Sequence, residues 1–212
     1  LIAAITVMCY FGIRIIVPFF SNDLGTSTEL QTNSANSHSE TGESESENNV
    51  FSEINVDLEH LYSPYAILVE LDSGNVLAEH NSEDKIYPAS LTKIMTAVLA
   101  IENTDDLSQT VTLPYDIFEQ LYEENASMAG FQPGEEATLK DLLYGILLPS
   151  GAECCMAFAD RIAGSEEAFV DMMNEKATEI GMSNTHFCNA TGLHNPDHYS
   201  TVKDISILLK YA

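Results

Sequence analysis

The chain has 212 residues and a mass of 23.3 kDa, a length suited to one domain with an appended tail. Eight Lys and Arg stand against 33 Asp and Glu, a formal net charge of -25, which argues against a nucleic-acid binder because such a protein needs a basic face to neutralise phosphates. Hydrophobic residues make up 45%, so the chain as a whole is not a disordered polymer, and four cysteines are too few for a disulfide-built miniprotein.

The first residue is Leu rather than Met, so the N-terminus is expected to be incomplete. Residues 1–20 read LIAAITVMCYFGIRIIVPFF, a run expected to act as a membrane anchor or signal segment. Arg14 would cost about 2.5–3.5 kcal/mol at the bilayer centre and is expected to snorkel to an interface. Cys9 follows Thr6, Val7 and Met8, not the small residues of a lipoprotein cleavage site, so lipidation is not expected there. Residues 21–60 are rich in Ser, Thr, Asn and Glu, with no Lys or Arg between Phe20 and Leu61. Such a stretch buries too little apolar area to offset its ordering entropy and reads as an acidic, disordered linker.

The folded part is expected over 61–212. YAILVEL from Tyr65, Asp72-Ser73-Gly74 and NVLAEH from Asn75 read as strand, turn and strand of a hairpin. A long apolar helix is predicted over 91–102, entered at Pro88. Thr138 and Asp141 make a capping-box-like start for LLYGILL. Another helix is predicted over 152–163. Ser165 caps a further one, in which Phe169, Met172, Met173 and Ile180 keep helical spacing as core residues, and Gly181 ends it. A loop over 184–199 precedes a last helix over 202–211, capped by Ser200 or Thr201. A lone hairpin is marginal in water, so its partner strands are expected from beyond Ala212 and the chain reads as truncated there too.

The pattern Ser-x-x-Lys places a hydroxyl and an amine one helical turn apart on one face. The hydroxyl is a weak nucleophile that needs a base, and a lysine serves only where its pKa is lowered. With 19 Ser and six Lys, chance alone supplies about half a match; there are three. Ser82/Lys85 encloses Glu83 and Asp84, which favour a charged, salt-bridged Lys85. Ser200/Lys203 is followed by Asp204, which does the same. Ser90/Lys93 differs: no acidic residue occurs between Ile86 and Ile101, so the amine of Lys93 is drawn into an apolar core where its neutral form is favoured. Ser90 stands at the N-terminal end of that helix, where the dipole favours developing negative charge; the same position would also suit a plain helix cap.

The stretch YPASLTKIMTAVLAIE resembles the nucleophile motif of the serine D-alanyl-D-alanine carboxypeptidases, the low-molecular-weight penicillin-binding proteins. AILVELDSGNVLAEHN, FQPGEEATLKDLLYGILLPSGAE and TGLHNPDHYSTVKDISILLKYA resemble other segments of that family in the same order, so the likeness runs from Tyr65 to Ala212. It implies an α/β fold of the DD-peptidase/β-lactamase type, an antiparallel sheet flanked by helices, with the C-terminal strands absent from this stretch. It implies catalysis by Ser90 as nucleophile, Lys93 as base and Ser150 as proton carrier, acting on the peptidoglycan stem peptide through an acyl-serine, with β-lactams as covalent inhibitors and no cofactor or metal. It also implies an extracytoplasmic place at the membrane or cell wall. Alternatives within the resemblance are a β-lactamase, or a family member that binds stem peptides without useful turnover. Two features depart from the family pattern. Its second motif, Ser-x-Asn, reads Ser150-Gly151-Ala152 here, and Ala152 cannot hold substrate or lysine as an Asn would. The third motif, Lys-Thr-Gly, follows none of the six lysines; Ala190-Thr191-Gly192 lacks the charge and is no substitute.

Other candidates read as structural. Pro196 prevents His194 and His198 from sharing a helical face, and His186 has no spaced glutamate base, so a zinc site is not expected. Cys154 and Cys155 are expected to fill a small apolar site rather than bond each other, and a bridge from Cys188 to either is left open. Asp204 is expected to be structural.

Overall fold

The computed structural model describes residues 58 and 60–212. The expected anchor, and the linker apart from Leu58 and His60, lie outside the described residues. The predicted hairpin forms: β1 (Ala66–Val69) and β2 (Val76–His80) pair antiparallel, Ala66 opposite His80, with an irregularity after Leu68. Its turn closes through Gly74 N–H on the Glu70 carbonyl at 2.8 Å, with Gly74 at φ +76°, a conformation that costs glycine nothing.

A single 3-10 turn, Ala89–Leu91, leads into α1 (Thr92–Glu102), one residue later than the apolar pattern suggests. Eight of the eleven residues of α1 are buried, because Lys93 and the terminal Glu102 are its only charged residues. A helix apolar all round belongs in the centre, and α1 is surrounded by α3 (Leu139–Leu147), α4 (Ala152–Ala163), α5 (Glu166–Ile180) and α6 (Val202–Tyr211). Helix α6 also packs on β1. The caps follow the sequence reading: Thr138 accepts from Asp141 N–H, Ser165 from Ala168 N–H, and Thr201, rather than Ser200, from Asp204 N–H.

Three elements carry no clear pattern in the sequence. Strands β3 (Thr110–Thr112) and β4 (Glu136–Thr138) form a second antiparallel pair, each too short for alternation to register. Between them, α2 (Asp116–Glu123) is short and acidic and buries only Phe118 and Leu121. The core has Phe118, Phe158, Phe169, Phe187, Met95 and Met173 almost wholly excluded from water, each worth about 1.5–3 kcal/mol in burial. Antiparallel strands flanked by helices match the expected fold class.

Candidate active site

Ser90 is the middle residue of the 3-10 turn and half-buried. The turn is held by Leu91 N–H on the Pro88 carbonyl at 3.1 Å. Ala89 takes φ +48°, a left-handed conformation that costs a non-glycine residue energy and marks a constrained site. Gly192 lies against this turn: a Cβ there would come 2.0 Å from the Ala89 carbonyl oxygen and 3.2 Å from Ser90 N. The hydroxyl of Ser90 is thus fixed at the head of α1, where the helix dipole favours an anion.

Ser150 joins α3 to α4 and is itself left-handed, at φ +66°. The corner is tied by Gly151 N–H to the Gly145 carbonyl and Ala152 N–H to the Ser127 carbonyl, both at 2.8 Å. Only glycine fits at 151, since a Cβ would stand 2.6 Å from that of Ala129. This corner aims Ser150 Oγ at Ser90 Oγ, to which it donates a hydrogen bond of 3.0 Å. Sixty residues separate the two hydroxyls in the chain.

Lys93 is 5% exposed. Burial lowers its pKa, opposed by the fields of Cys155 and Glu153. Its Nζ donates to the Thr191 carbonyl at 2.5 Å, while the hydrogen bond to Ser90 Oγ comes from Ser150. Ser90 and Ser150 therefore meet directly, and Lys93, one turn along from Ser90, is anchored to the loop that backs the Ser90 turn. That loop had no assigned role in the sequence beyond being unlike the missing third motif. It is held to α1 by Thr96 Oγ1 on the Ala190 carbonyl at 2.7 Å and by Thr92 Oγ1 with His198 Nε2 at 2.8 Å. Contacts through backbone carbonyls leave no side-chain signature, so the resemblance of the segment beginning at Thr191 marked the loop without revealing this contact.

The other two Ser-x-x-Lys pairs do not form sites. Ser82 donates to Glu79 at 2.6 Å. Lys85, expected in a salt bridge, instead donates to the Pro196 carbonyl at 3.0 Å and sits 4.2 Å from the Tyr199 ring centre; Glu83 pairs with Lys203 at 2.5 Å. Ser200 is buried beside Thr185. His198 is buried with both ring nitrogens in hydrogen bonds, the second accepting from Cys188 N–H at 3.1 Å, and burial brings its pKa down to about 4. His194 packs edge-on against Tyr87. Cys154 and Cys155 are fully buried and unbridged, and Cys188 is likewise a free thiol. Asp204 accepts from Asn184 N–H and Thr185 Oγ1, both at 2.8 Å, pinning the start of the 184–199 loop to α6. A cavity of about 490 Å³ lined by Glu124, Glu166, Cys188, Thr191 and His194, among others, does not include Ser90, Lys93 or Ser150.

Comparison with known proteins gives the family. The family model described as peptidase S11, D-alanyl-D-alanine carboxypeptidase, matches residues 52–212. The chain is 42% identical over 145 residues to the D-alanyl-D-alanine carboxypeptidase DacF of Bacillus subtilis, covering 68% of this chain and 37% of the relative. It is 37% identical over 153 residues to DacC of Escherichia coli, covering 68% and 38%. Among solved structures, the Streptomyces K15 DD-transpeptidase superposes with a TM-score of 0.65 at 30% identity, over 69% of this chain and 58% of that one. Penicillin binding protein 6B of Escherichia coli gives 0.62 at 30% identity, over 65% and 45%. The chain spans well under half the length of the curated relatives it matches.

Proposed function

Because the chain belongs to the D-alanyl-D-alanine carboxypeptidase family, peptidase S11, we propose that the protein carrying it is a serine peptidase that removes the terminal D-alanine from peptidoglycan stem peptides. The observation that carries this reading is the Ser150–Ser90 hydrogen bond of 3.0 Å beside a lysine buried to 5% exposure. Ser90 Oγ bonds to the carbonyl carbon of the penultimate D-alanine, and Lys93 takes the hydroxyl proton. Ser150, already hydrogen-bonded to Ser90, passes a proton to the leaving nitrogen as the C–N bond breaks. Water then attacks the acyl-serine and releases the shortened peptide. A β-lactam acylates Ser90 by the same attack, its ring C–N bond opening in place of the peptide bond. Residues 1–20 would hold the protein at the membrane, with this domain on the extracytoplasmic side where peptidoglycan lies.

The test is D-alanine release from a stem pentapeptide by the full-length protein, read beside labelling with a fluorescent penicillin. Ser90→Ala is expected to abolish both, since loss of a nucleophile removes on the order of 10³-fold or more. A Ser90→Ala protein that released D-alanine as fast as the parent would refute the mechanism; labelling without release would identify a binder that does not turn over.

A further inference from the structure

Glu153 is the second residue of α4 and is fully buried. Its Oε1 accepts from Ala129 N–H at 2.7 Å and Gly130 N–H at 2.9 Å, fastening the 127–130 loop beneath the Ser150 corner. Its Oε2 is equally buried and has no hydrogen-bond partner among the described residues. That oxygen lies against the second motif, where a Cβ on Gly151 would meet it at 3.0 Å. Fastening the loop needs one oxygen and no charge. A buried carboxylate with one oxygen unused is costly to keep, so the second oxygen calls for a role of its own.

Helices α1 and α4 pack against each other, and Lys93 is the buried amine of α1. The ionisable groups whose fields reach it, Cys155 and Glu153, both stand on α4. Burial pushes the Cys155 thiol up to about 12, so it stays neutral at physiological pH. The 184–199 loop offers Lys93 the neutral Thr191 carbonyl, and α5 brings Glu166 to the same loop, where it accepts from Ala190 N–H at 2.9 Å. Ala152, wholly buried, has no polar group to supply. When Lys93 takes a proton from Ser90, an ammonium forms in a site shielded from water, where a charge of opposite sign counts most.

Resting on the function proposed above, we infer that Glu153 is a positioning residue for acylation: its unshared oxygen supplies the negative charge that stabilises the protonated Lys93, through space rather than by a direct ion pair, beside a motif whose third residue is Ala152. The carboxylate favours the ammonium, so removing its charge lets Lys93 lose its proton at lower pH and makes it a weaker base.

The experiment measures the acylation rate of the full-length protein by a fluorescent penicillin from pH 5 to 10. E153Q retains an oxygen to accept the two loop N–H groups while losing the charge. Its acid limb is expected to move down by half a pH unit or more, with a plateau about tenfold lower, and E153D is expected to restore the limb toward that of the parent. An E153Q limb that stays in place, whatever the plateau does, overturns the inference, because a structural role would change rate without moving the titration. If E153Q fails to fold, E153N is compared with E153D, which matches it in shape and keeps the charge: an E153N limb below that of E153D is expected, and coincident limbs overturn the inference. A parent that no penicillin acylates refutes the underlying function instead, and the inference with it.

Discussion

At the scale of single residues, the site depends on an amine kept out of water. Lys93 is buried with one neutral acceptor, the Thr191 carbonyl, and desolvation lowers its pKa in the folded state. Linkage gives this a sign. Between the lowered folded value and the unfolded value of about 10.4, the unfolded chain binds the extra proton, so stability rises with pH across that window. The cost of burying Lys93 is therefore fully present below the folded pKa and fades as pH approaches 10.4. Lys93→Met, of similar shape, is expected to gain most on the parent in acid and to lose that relative gain as pH rises. Urea denaturation from pH 6 to 10 checks this; a difference independent of pH would contradict it. Penicillin labelling of the same variant is expected to vanish, a trade of activity for stability of a familiar kind.

At the scale of elements, two glycines with nearly equal backbone angles do different things. Gly164 closes α4 at φ +78° with no atom within 4 Å of a built Cβ. Gly192 has φ +81°, but a Cβ would strike the Ala89 carbonyl at 2.0 Å. Gly164→Ala is expected to cost only the left-handed penalty of about 1–2 kcal/mol. Gly192→Ala adds a collision with backbone, for a total of about 2–5 kcal/mol, and shifts the turn that carries Ser90. Thermal unfolding should rank the two in that order, and acylation should fall only in Gly192→Ala. Equal losses of stability with full acylation in both would show that Gly192 does not brace the Ser90 turn. The same elements explain how far the sequence could be read. Thr138, Ser165, Thr201 and Gly181 act within a turn or two of their own position, so local chemistry reveals them. Strands β3 and β4 exist because they find each other across the chain, and three residues apiece hold too little pattern to announce that pairing.

For the molecule as a whole, the charge of -25 keeps it away from phosphate backbones and favours solubility. Among the described residues no helix is long and apolar enough to cross a bilayer; membrane attachment is a proposal about the full chain. The proposal assigns it to residues 1–20, which carry one charge, Arg14. Expressed in its host, the full-length protein is expected in the membrane fraction and accessible to protease from outside, and deletion of residues 1–20 is expected to release it from that fraction. Equal membrane retention after the deletion would assign the attachment elsewhere.

The sequence by itself determined the central helix, the Thr138, Ser165 and Thr201 caps of later helices, and which lysine of the three Ser-x-x-Lys pairs is buried. An uninterrupted apolar run around Lys93 can only be buried, and burial disfavours a charged amine. Only the tertiary structure decided which groups meet that amine and its serine. It closed sixty residues to a 3.0 Å contact between Ser150 and Ser90, gave Lys93 a carbonyl 98 positions away, and buried Glu153 beneath the second motif. Hydrophobic periodicity acts within a helical turn or a strand, whereas these contacts depend on how helices cross and loops return. Backbone carbonyls and unpaired carboxylate oxygens become distinctive only once packing has excluded water from around them.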